Sequence, residues 1–382
     1  MKKASARLFS AIYSISAILI LLGGCSSDTE TGNFNLESLP LLALQQGAEF
    51  SETEDMLLGS ISQLLTDSEG NMILVDGRQR IIHAVDPQGS YIQQIGANGS
   101  GPGEYQFPGL ASIGPDDALH IMDWSSRRVI TYQKENGRWT FYSDFIADQD
   151  EIGFLSRMFP QSTEEFYVVS GSISVNSEDN SMIIRLINNS GNVVRDSILI
   201  VPSNENFTIR NGDSAMMSLS QSDIHRQAIY AHDYNGTVYY GWSDSLAIMK
   251  KAPENESFAL FADLDLPDTP FTTADGDSIL SNYESLLEGN SSAREELISS
   301  FPETKPVFSE LQADETGHLW VQVQLPEGND NTWLIFDPGG SPVYKAVFDD
   351  GQNLSAIRDG KAYVTSQSEL GVPSVTVLDF EY

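Results

Sequence analysis

Short apolar stretches, separated by turns rich in Gly, Asn and Asp, recur along most of the chain. The stretches are rich in Val, Ile, Tyr and Phe, and many alternate with polar residues, which is typical of β-strands. Between Ile61 and Tyr142 the same order of strand, tight turn, strand, polar turn, strand, glycine turn and strand occurs twice. Because an internal repeat of this length decides the architecture, the pattern predicts an all-β repeat protein.

The second strand of each repeat serves as a marker of the repeat length. We place the starts of these strands near Asn71, Ala118, Glu165, Thr237, His318 and Lys361. The intervals are 47, 47, 72, 81 and 43 residues, whereas a four-stranded propeller blade takes about 40 to 50 residues. The chain is therefore predicted to fold as a six-bladed β-propeller of four-stranded antiparallel blades, with insertions in the two long intervals.

The predicted propeller occupies residues 47–382, with insertions at about 197–224 and 268–306. The first insertion has no clear period and is expected to be irregular. The second has apolar residues at three- and four-residue spacing over 277–300, which predicts a short helical segment. This segment is expected either to form a lid over one end of the ring or to pack on the blades without a further role. The last repeat ends without a fourth strand, so residues 48–52 are expected to supply it and close the ring.

The N-terminus predicts export and lipid attachment. A cationic start, Met1–Arg7, precedes an apolar run over 8–22 that is too short for a comfortable membrane span. Residues 1–24 are therefore assigned as a secretory signal peptide. The following Leu22-Gly-Gly-Cys25 resembles the bacterial lipobox, in which the cysteine is acylated. The alternative is an ordinary signal peptide with a chance cysteine at position 25.

Cys25 is the only cysteine among the 382 residues, so no internal disulfide is available to the exported domain. Residues 25–46 are predicted to form a lipidated polar tether, and the lipid would be the contact with the membrane. The composition after Cys25 is similar to segments that send lipoproteins of some Bacteroidetes-type bacteria to the cell surface. The expected location is the outer membrane, on its periplasmic or cell-surface face.

The charge of the chain limits its partners. Asp and Glu number 54 against 21 Lys and Arg, giving a formal net charge of −33. Nucleic-acid binding is excluded, because it requires basic residues to neutralise phosphates. The acidic residues are scattered along the sequence, which favours a role in solubility over the attraction of a cationic partner.

Three motifs resemble the NHL-type six-bladed propellers, and in particular the six-bladed propeller lipoproteins of Bacteroidetes-type bacteria. One is Asp-x-x-Gly followed by an apolar strand, which starts at Asp67 and at Asp314 and reads Asp-x-x-Gly-x-Leu-x-Val at the second of these. The second is an Asp followed by Arg-Val-Ile, as in Asp123 and Arg128, and the spacing is one residue shorter from Asp76 to Arg80. The third is the glycine-rich connector Gly99–Pro108. The Asp and Arg of the second motif are expected to form an ion pair that fixes the turn.

Motifs for catalysis are missing from the sequence. It has no nucleophile elbow and no His-Glu-x-x-His, and Gly99–Gly103 is not followed by the Lys-Ser/Thr of a phosphate loop. Structural roles are expected for the five histidines, although His225 or His232 could face the channel. No catalytic residue, metal ligand or cofactor is assigned. Binding of a divalent cation remains an alternative, because similar gluconolactonase-like propellers hold a metal with acidic and Asn side chains in the channel.

Two functions therefore remain. The first is a binding or scaffold module for a peptide, a glycan or an envelope protein, which the lack of catalytic motifs favours. The second is a metal-assisted hydrolase or lactonase that uses acidic residues in the central channel. Aromatic and basic residues in the loops at the channel face are the candidates for ligand binding, since such rings offer a large contact area. They are Tyr105, Phe107, Trp124, Arg127, His225 and Trp242.

Overall fold

Six four-stranded antiparallel sheets make up most of the structure and follow one another along the chain as six blades. The computed structural model describes residues 36–382 except for 55, 172–180, 203, 212–213, 220–223 and 327–330. The predicted fold class, a six-bladed β-propeller of four-stranded antiparallel blades with a short helical insertion, is confirmed.

The first eleven strands form the closing strand, two blades and a short parallel pair between these blades. The closing strand is β1 (Gln45–Ser51), which follows one turn of 3₁₀ helix (Leu36–Ser38). Blade 1 contains β2 (Gln63–Thr66), β3 (Met72–Asp76), β4 (Ile81–Val85) and β5 (Tyr91–Ile95). A parallel pair follows, β6 (Ala97–Asn98) and β7 (Glu104–Tyr105). Blade 2 contains β8 (Pro108–Ile113), β9 (Leu119–Asp123), β10 (Arg128–Glu135) and β11 (Arg138–Ile146).

Blades 3 and 4 flank an inserted hairpin. Blade 3 follows the short helix α1 (Gln149–Ile152) and contains β12 (Phe154–Pro160), β13 (Glu165–Gly171), β14 (Met182–Asn188) and β15 (Val193–Val201). The hairpin consists of β16 (Phe207–Asn211) and β17 (Ser214–Leu219). Blade 4 contains β18 (Ala228–His232), β19 (Val238–Trp242), β20 (Leu246–Lys251) and β21 (Ala259–Leu264).

Three helices precede the last two blades. They are α2 (Thr273–Asn282), α3 (Glu284–Leu287) and α4 (Ser291–Ser299). Blade 5 contains β22 (Phe308–Ala313), β23 (Leu319–Val323), β24 (Thr332–Phe336) and β25 (Pro342–Val347). Blade 6 contains β26 (Asn353–Arg358), β27 (Lys361–Gln367), β28 (Pro373–Asp379) and, at its outer edge, β1. None of the described helices is long and apolar enough to cross a membrane.

The cores lie between neighbouring blades, and β3 shows why the middle strands are so apolar. All five of its residues are buried. Ile73 and Val75 belong to the core shared with blade 2, whereas Met72 and Leu74 belong to the core shared with blade 6. Since successive side chains of a strand point to opposite faces, a strand covered on both faces is apolar at consecutive positions, here Met72 to Val75.

The ring closes as expected, through a strand from the N-terminal side. β1 pairs antiparallel with β28, from Gln45 opposite Asp379 to Ser51 opposite Ser374. The strand is longer than the predicted 48–52 and begins three residues earlier. Each blade then has four strands, and the outer edge of β28 is covered by β1.

In the described part of the chain, an Asp or Asn followed three residues later by Gly makes the same tight turn six times. At Asp67, Oδ1 accepts hydrogen bonds from the backbone N–H groups of Glu69 and Asn71, both at 2.9 Å. Gly70 has φ of +78°, a conformation that favours glycine. The other five turns begin at Asp86, Asn188, Asp233, Asp314 and Asp337. These hydrogen bonds explain why the Asp-x-x-Gly motif recurs in the sequence.

The ion pairs expected between Asp76 and Arg80 and between Asp123 and Arg128 are absent, and this prediction was wrong. Both carboxylates instead accept hydrogen bonds from backbone N–H groups, some in their own turns and some in the segments just before the inner strands of their blades. Arg128 pairs with Asp144 at 3.0 Å. A carboxylate surrounded by backbone donors is already satisfied, so it fixes the turn without a basic partner.

The two insertions pack together. The first contains the hairpin β16–β17, so the expectation that it is irregular was wrong, whereas the helical prediction for the second is confirmed. α4 packs against β16. The buried residues between the insertions are Ile224, Ile279, Leu287, Ala293 and Leu297. Both insertions lie in connections from the outer strand of one blade to the inner strand of the next.

Candidate functional site

The inner strands β2, β8, β12, β18, β22 and β26 line a central cavity of about 470 Å³. They run in the same direction, because each begins after a connection from the preceding blade. We call the end of the ring where they begin the upper face and the opposite end the lower face. A cavity of this size between elements is within the range of small-molecule sites.

Tyr234 covers the lower end of the cavity. It lies in the turn between β18 and β19 of blade 4 and reaches across to two other blades. Its hydroxyl lies 2.9 Å from Oγ1 of Thr66 in blade 1, and the guanidinium carbon of Arg358 in blade 6 lies 4.0 Å from its ring centroid. Burial raises the pKa of Tyr234 to about 12. A ligand would therefore enter the cavity from the upper face.

Arg157 lies half-way along β12 and lines this cavity. Its guanidinium donates a hydrogen bond to the carbonyl of Ser156 at 2.8 Å, and no carboxylate pairs with it among the described residues. Burial lowers the pKa of Arg157 from its ordinary value. The hydroxyl of Tyr230, on the neighbouring inner strand β18, is buried and has no hydrogen-bond partner within the described structure.

Glu310 is the carboxylate that lines the cavity, on β22. It accepts a hydrogen bond from Nε2 of Gln312 at 3.0 Å, and burial raises its pKa to about 7. His232 is held by Ser112, whose Oγ lies 3.0 Å from its Nε2, and burial lowers the pKa of this histidine. In the part of the chain that the structure describes, no group of three or more His, Cys, Asp and Glu is arranged to hold a metal.

Two of the sequence-predicted residues, Phe107 and Trp124, meet on the upper face. Their rings are stacked, with centroids 5.7 Å apart and planes 18° apart. The guanidinium carbon of Arg80, from blade 1, lies 4.8 Å from the centroid of Phe107. Trp124 is 41% exposed, and Arg127 is exposed at the end of the same turn. The structure therefore joins three predicted candidates with an arginine that was not singled out.

The backbone holds Trp124 in place. Its indole lies on Gly109, where an added Cβ would be 2.2 Å from the ring. The N–H of Trp124 donates to the carbonyl of Phe107 at 3.0 Å, and the N–H of Phe107 donates to Oδ1 of Asp123 at 2.9 Å. Burial acts to raise the pKa of Asp123, but hydrogen bonds from Ser126 and backbone amides outweigh it and lower this pKa.

Three arginines lie in the upper-face turns of blades 1 and 2, Arg78 and Arg80 between β3 and β4 and Arg127 between β9 and β10. The side chains of Arg78, Arg80 and Arg127 are exposed, and none of them pairs with a carboxylate in the described structure. We call Arg78, Arg80, Phe107, Trp124 and Arg127 the upper-rim patch. Asp76 and Asp123 lie beneath it, where backbone amides occupy their oxygens.

The remaining candidates do not join this patch. Tyr105 is fully buried; its hydroxyl donates to the carbonyl of Ile95 at 2.7 Å, so the expectation of an exposed ring was wrong. His225 is buried at 4% exposure. Trp242 is half-buried and packs beside the core of Tyr240. The predicted lipidation site Cys25 lies outside the described residues.

Sequence reasoning missed Arg157, Tyr230 and Glu310. A signal was present, because Arg157 and Glu310 are charged residues in the middle of inner strands that are otherwise apolar or neutral. The sequence pattern does not give the register of these strands, and a shift of one residue turns every side chain to the opposite face. It was therefore not possible to predict which side chains face the cavity.

A family described as "6-bladed beta-propeller" matches residues 51–251, which is more than half of the chain. The chain belongs to this family, DUF5128. The predicted membership of a six-bladed propeller family is thereby confirmed, whereas the NHL-like and lipoprotein assignments stay predictions. No curated protein matches this DUF5128 propeller.

Crystal structures of two Bacteroides proteins share its fold. One, described as an exported protein from Bacteroides fragilis, is 12% identical with a TM-score of 0.54, over 91% of this chain and 97% of the other. Another, a member of the DUF4221 family from Bacteroides vulgatus, is 8% identical with a TM-score of 0.51, over 90% and 99%. A gluconolactonase from Xanthomonas campestris is 9% identical with a TM-score of 0.43, over 90% and 99%. At these identities the likeness concerns the fold alone.

Proposed function

We propose that this DUF5128 propeller is an exported binding module that docks an acidic segment of a protein partner on the upper-rim patch. The observation that carries the proposal is the stack of Arg80, Phe107 and Trp124, flanked by arginines that pair with no carboxylate in the described structure. A peptide carboxylate is the partner that such guanidinium groups bind best, often through two hydrogen bonds.

The composition of the patch supports a polypeptide partner. Trp and Arg are the residues most enriched where protein interfaces gain their binding energy, while Lys is depleted there. Trp124 lies on Gly109 in a fixed position, so little conformational entropy is lost when a partner covers it. The net charge of −33 repels an acidic segment from the rest of the surface, which confines such binding to this patch.

The docking can be measured with a synthetic peptide. A fluorescein-labelled peptide of alternating Glu and Leu, followed by fluorescence anisotropy, should bind the purified mature protein, and its Gln-Leu counterpart should bind about tenfold more weakly. Trp124→Ala and the double variant Arg80→Gln/Arg127→Gln should each weaken binding of the acidic peptide by about tenfold.

Matched controls lie on the outer strand of the same blade. Arg138→Gln and Tyr142→Ala each change an exposed residue of β11 and should leave peptide binding unchanged. Equal binding of the Glu and Gln peptides would contradict the proposal. So would binding of polygalacturonate or of phosphatidylglycerol vesicles that the patch variants abolish, because the patch would then serve a glycan or a membrane.

The alternative function has its own measurement. Turnover of a lactone or ester by the purified protein, lost on chelation of divalent metal, would replace the binding module by a metal-assisted hydrolase. Variants in the upper-rim patch serve as the control, because they should leave such turnover intact.

We also propose that Cys25 carries the lipid that tethers the protein to the outer membrane, since Leu22-Gly-Gly-Cys25 resembles a lipobox. Mass spectrometry of the mature N-terminal peptide should show an acylated cysteine, and Cys25→Ser should move the protein from the membrane fraction to the periplasm or the medium. An unmodified Cys25, or an N-terminus cut elsewhere, would contradict the tether.

A further inference from the structure

The central cavity contains charged and polar groups that the upper-rim patch does not use. It is covered below by Tyr234 and measures about 470 Å³, which leaves room for a small molecule that enters from above. Its walls come from all six blades, so a bound molecule would contact several blades at once.

Arg157 and Tyr230 form the cationic side of this cavity. They lie close enough for the guanidinium of Arg157 to oppose the rise that burial causes in the pKa of Tyr230. Arg157 has no carboxylate partner in the described structure, and the buried Tyr230 hydroxyl has no hydrogen-bond partner there. Buried polar groups are nearly always satisfied, so an unpartnered hydroxyl beside an unpaired guanidinium indicates a ligand oxygen that is not part of the chain.

Glu310 lines the cavity from β22 of blade 5, two blades away from Arg157. Its carboxyl accepts a hydrogen bond from Gln312, but no described Lys or Arg pairs with it, so Arg157 and Glu310 do not neutralise each other. The other titratable groups that line the cavity are Tyr230, His232 and Tyr234. Arg157 is exposed and Glu310 is half-buried, and both line the cavity, so both charged groups are accessible to a molecule that enters it.

We infer that the cavity is a binding site for a small zwitterion, an amino acid or a short peptide. Its carboxylate binds Arg157 and the Tyr230 hydroxyl, and its ammonium group binds Glu310. This site is separate from the upper-rim patch and does not depend on it.

A trio of matched dipeptides tests the two ends of the ligand. Isothermal titration of the mature protein at about pH 8 should detect binding of Ala-Ala. Its C-terminal amide, which lacks the carboxylate, and its N-acetyl derivative, which lacks the ammonium group, should each bind about tenfold more weakly.

Variants assign each end to a residue. Arg157→Gln should weaken Ala-Ala binding by about tenfold and Tyr230→Phe by about threefold. Glu310→Gln should weaken Ala-Ala but leave the N-acetyl derivative unchanged, because that derivative has no ammonium group to lose. Arg138→Gln, far from the cavity on β11, is the control, and thermal unfolding checks that every variant is folded.

A change of pH gives an independent readout. Since Glu310 is charged above about pH 7, the affinity for Ala-Ala should fall as pH is lowered through this value in the parent protein and stay nearly constant in Glu310→Gln. The inference is wrong if none of the three dipeptides binds, if the amide binds as well as the acid, or if Arg157→Gln leaves the affinity unchanged.

Discussion

At the residue scale, the molecule separates two kinds of buried carboxylate. Asp123 is surrounded by backbone N–H donors and the Ser126 hydroxyl, which stabilise its charge and lower its pKa. Glu310 has a single amide donor in a cavity with much apolar wall, and its pKa rises to about 7. The number of hydrogen-bond donors around a carboxylate, and not its burial alone, therefore decides whether it stabilises a turn or remains available to a ligand.

Glu310 makes the stability of the protein depend on pH. Its pKa is raised from 4.5 to about 7 on folding, so the folded protein binds more protons than the unfolded chain between these values, and its stability falls as pH rises through this window. Glu310→Gln, which stays neutral, should be about 1–3 kcal/mol more stable than the parent above pH 7 and nearly equal to it at pH 4.5. Urea unfolding at both pH values measures this. The exposed Glu135→Gln is the control; a gain for Glu310→Gln at low pH alone would contradict the prediction.

Gly109 sets the position of Trp124. Gly109→Ala would place a Cβ within 2.2 Å of the indole, so the ring must leave its place on the backbone. We expect binding of the acidic peptide to weaken about as much as in Trp124→Ala, with a loss of stability of only about 1 kcal/mol because the ring is already at the surface. Anisotropy titration and thermal unfolding check the two parts; unchanged peptide binding would show that the ring position is irrelevant.

At the element scale, the repeated turns were the most predictable feature of the chain. The predicted second strand near Asn71 begins at Met72, that near Ala118 begins at Leu119, and the last begins at Lys361 as predicted. Such accuracy follows because a turn with Asp and Gly precedes each of these strands, Asp67–Gly70, Gly114–Asp117 and Asp359–Gly360, and an apolar run marks the strand that follows it.

Side-chain contacts between elements that are far apart in the chain could not be predicted from the sequence. Arg80 of blade 1 contacts Phe107 of the next blade, and Tyr234 contacts Thr66 across the ring, and neither contact has a local sequence pattern. The hairpin at Phe207–Asn211 did carry a signal, because Phe207 to Arg210 alternate between apolar and polar residues, but four residues were too few to separate a strand from a loop.

Two glycine turns allow a matched test of these elements. At Gly340, φ is +86° and an added Cβ would lie 1.8 Å from the carbonyl oxygen of Phe261, whereas at Gly137 φ is +75° and nothing lies within 4 Å. Gly340→Ala should therefore destabilise the protein by about 2–4 kcal/mol and Gly137→Ala by about 1 kcal/mol. Thermal unfolding of both variants measures the difference, and equal losses would show that the close approach at Gly340 is relaxed by movement of β21.

At the scale of the whole molecule, stability depends on the contact between the two ends of the chain. β1 pairs with β28 along its length, while the hydroxyl of the last residue, Tyr382, donates to Asp314 of blade 5 at 2.5 Å. Blade 6 is therefore held by β1 at its outer edge and by the contact of Tyr382 with blade 5.

Removal of β1 should expose the edge of β28. A chain that begins at residue 52 should unfold at a lower temperature than one that begins at residue 36, and it should aggregate, because an unpaired edge strand recruits other chains. Thermal unfolding and light scattering compare the two. A chain without β1 that stays monomeric and equally stable would show that closure is not needed.

The same pairing has a consequence for biogenesis. β1 precedes the other strands of all six blades in the sequence and β28 follows them, so β1 has no partner until β28 has been synthesised. A nascent chain that stops before β28 therefore leaves the edge of β1 unpaired and cannot close the ring.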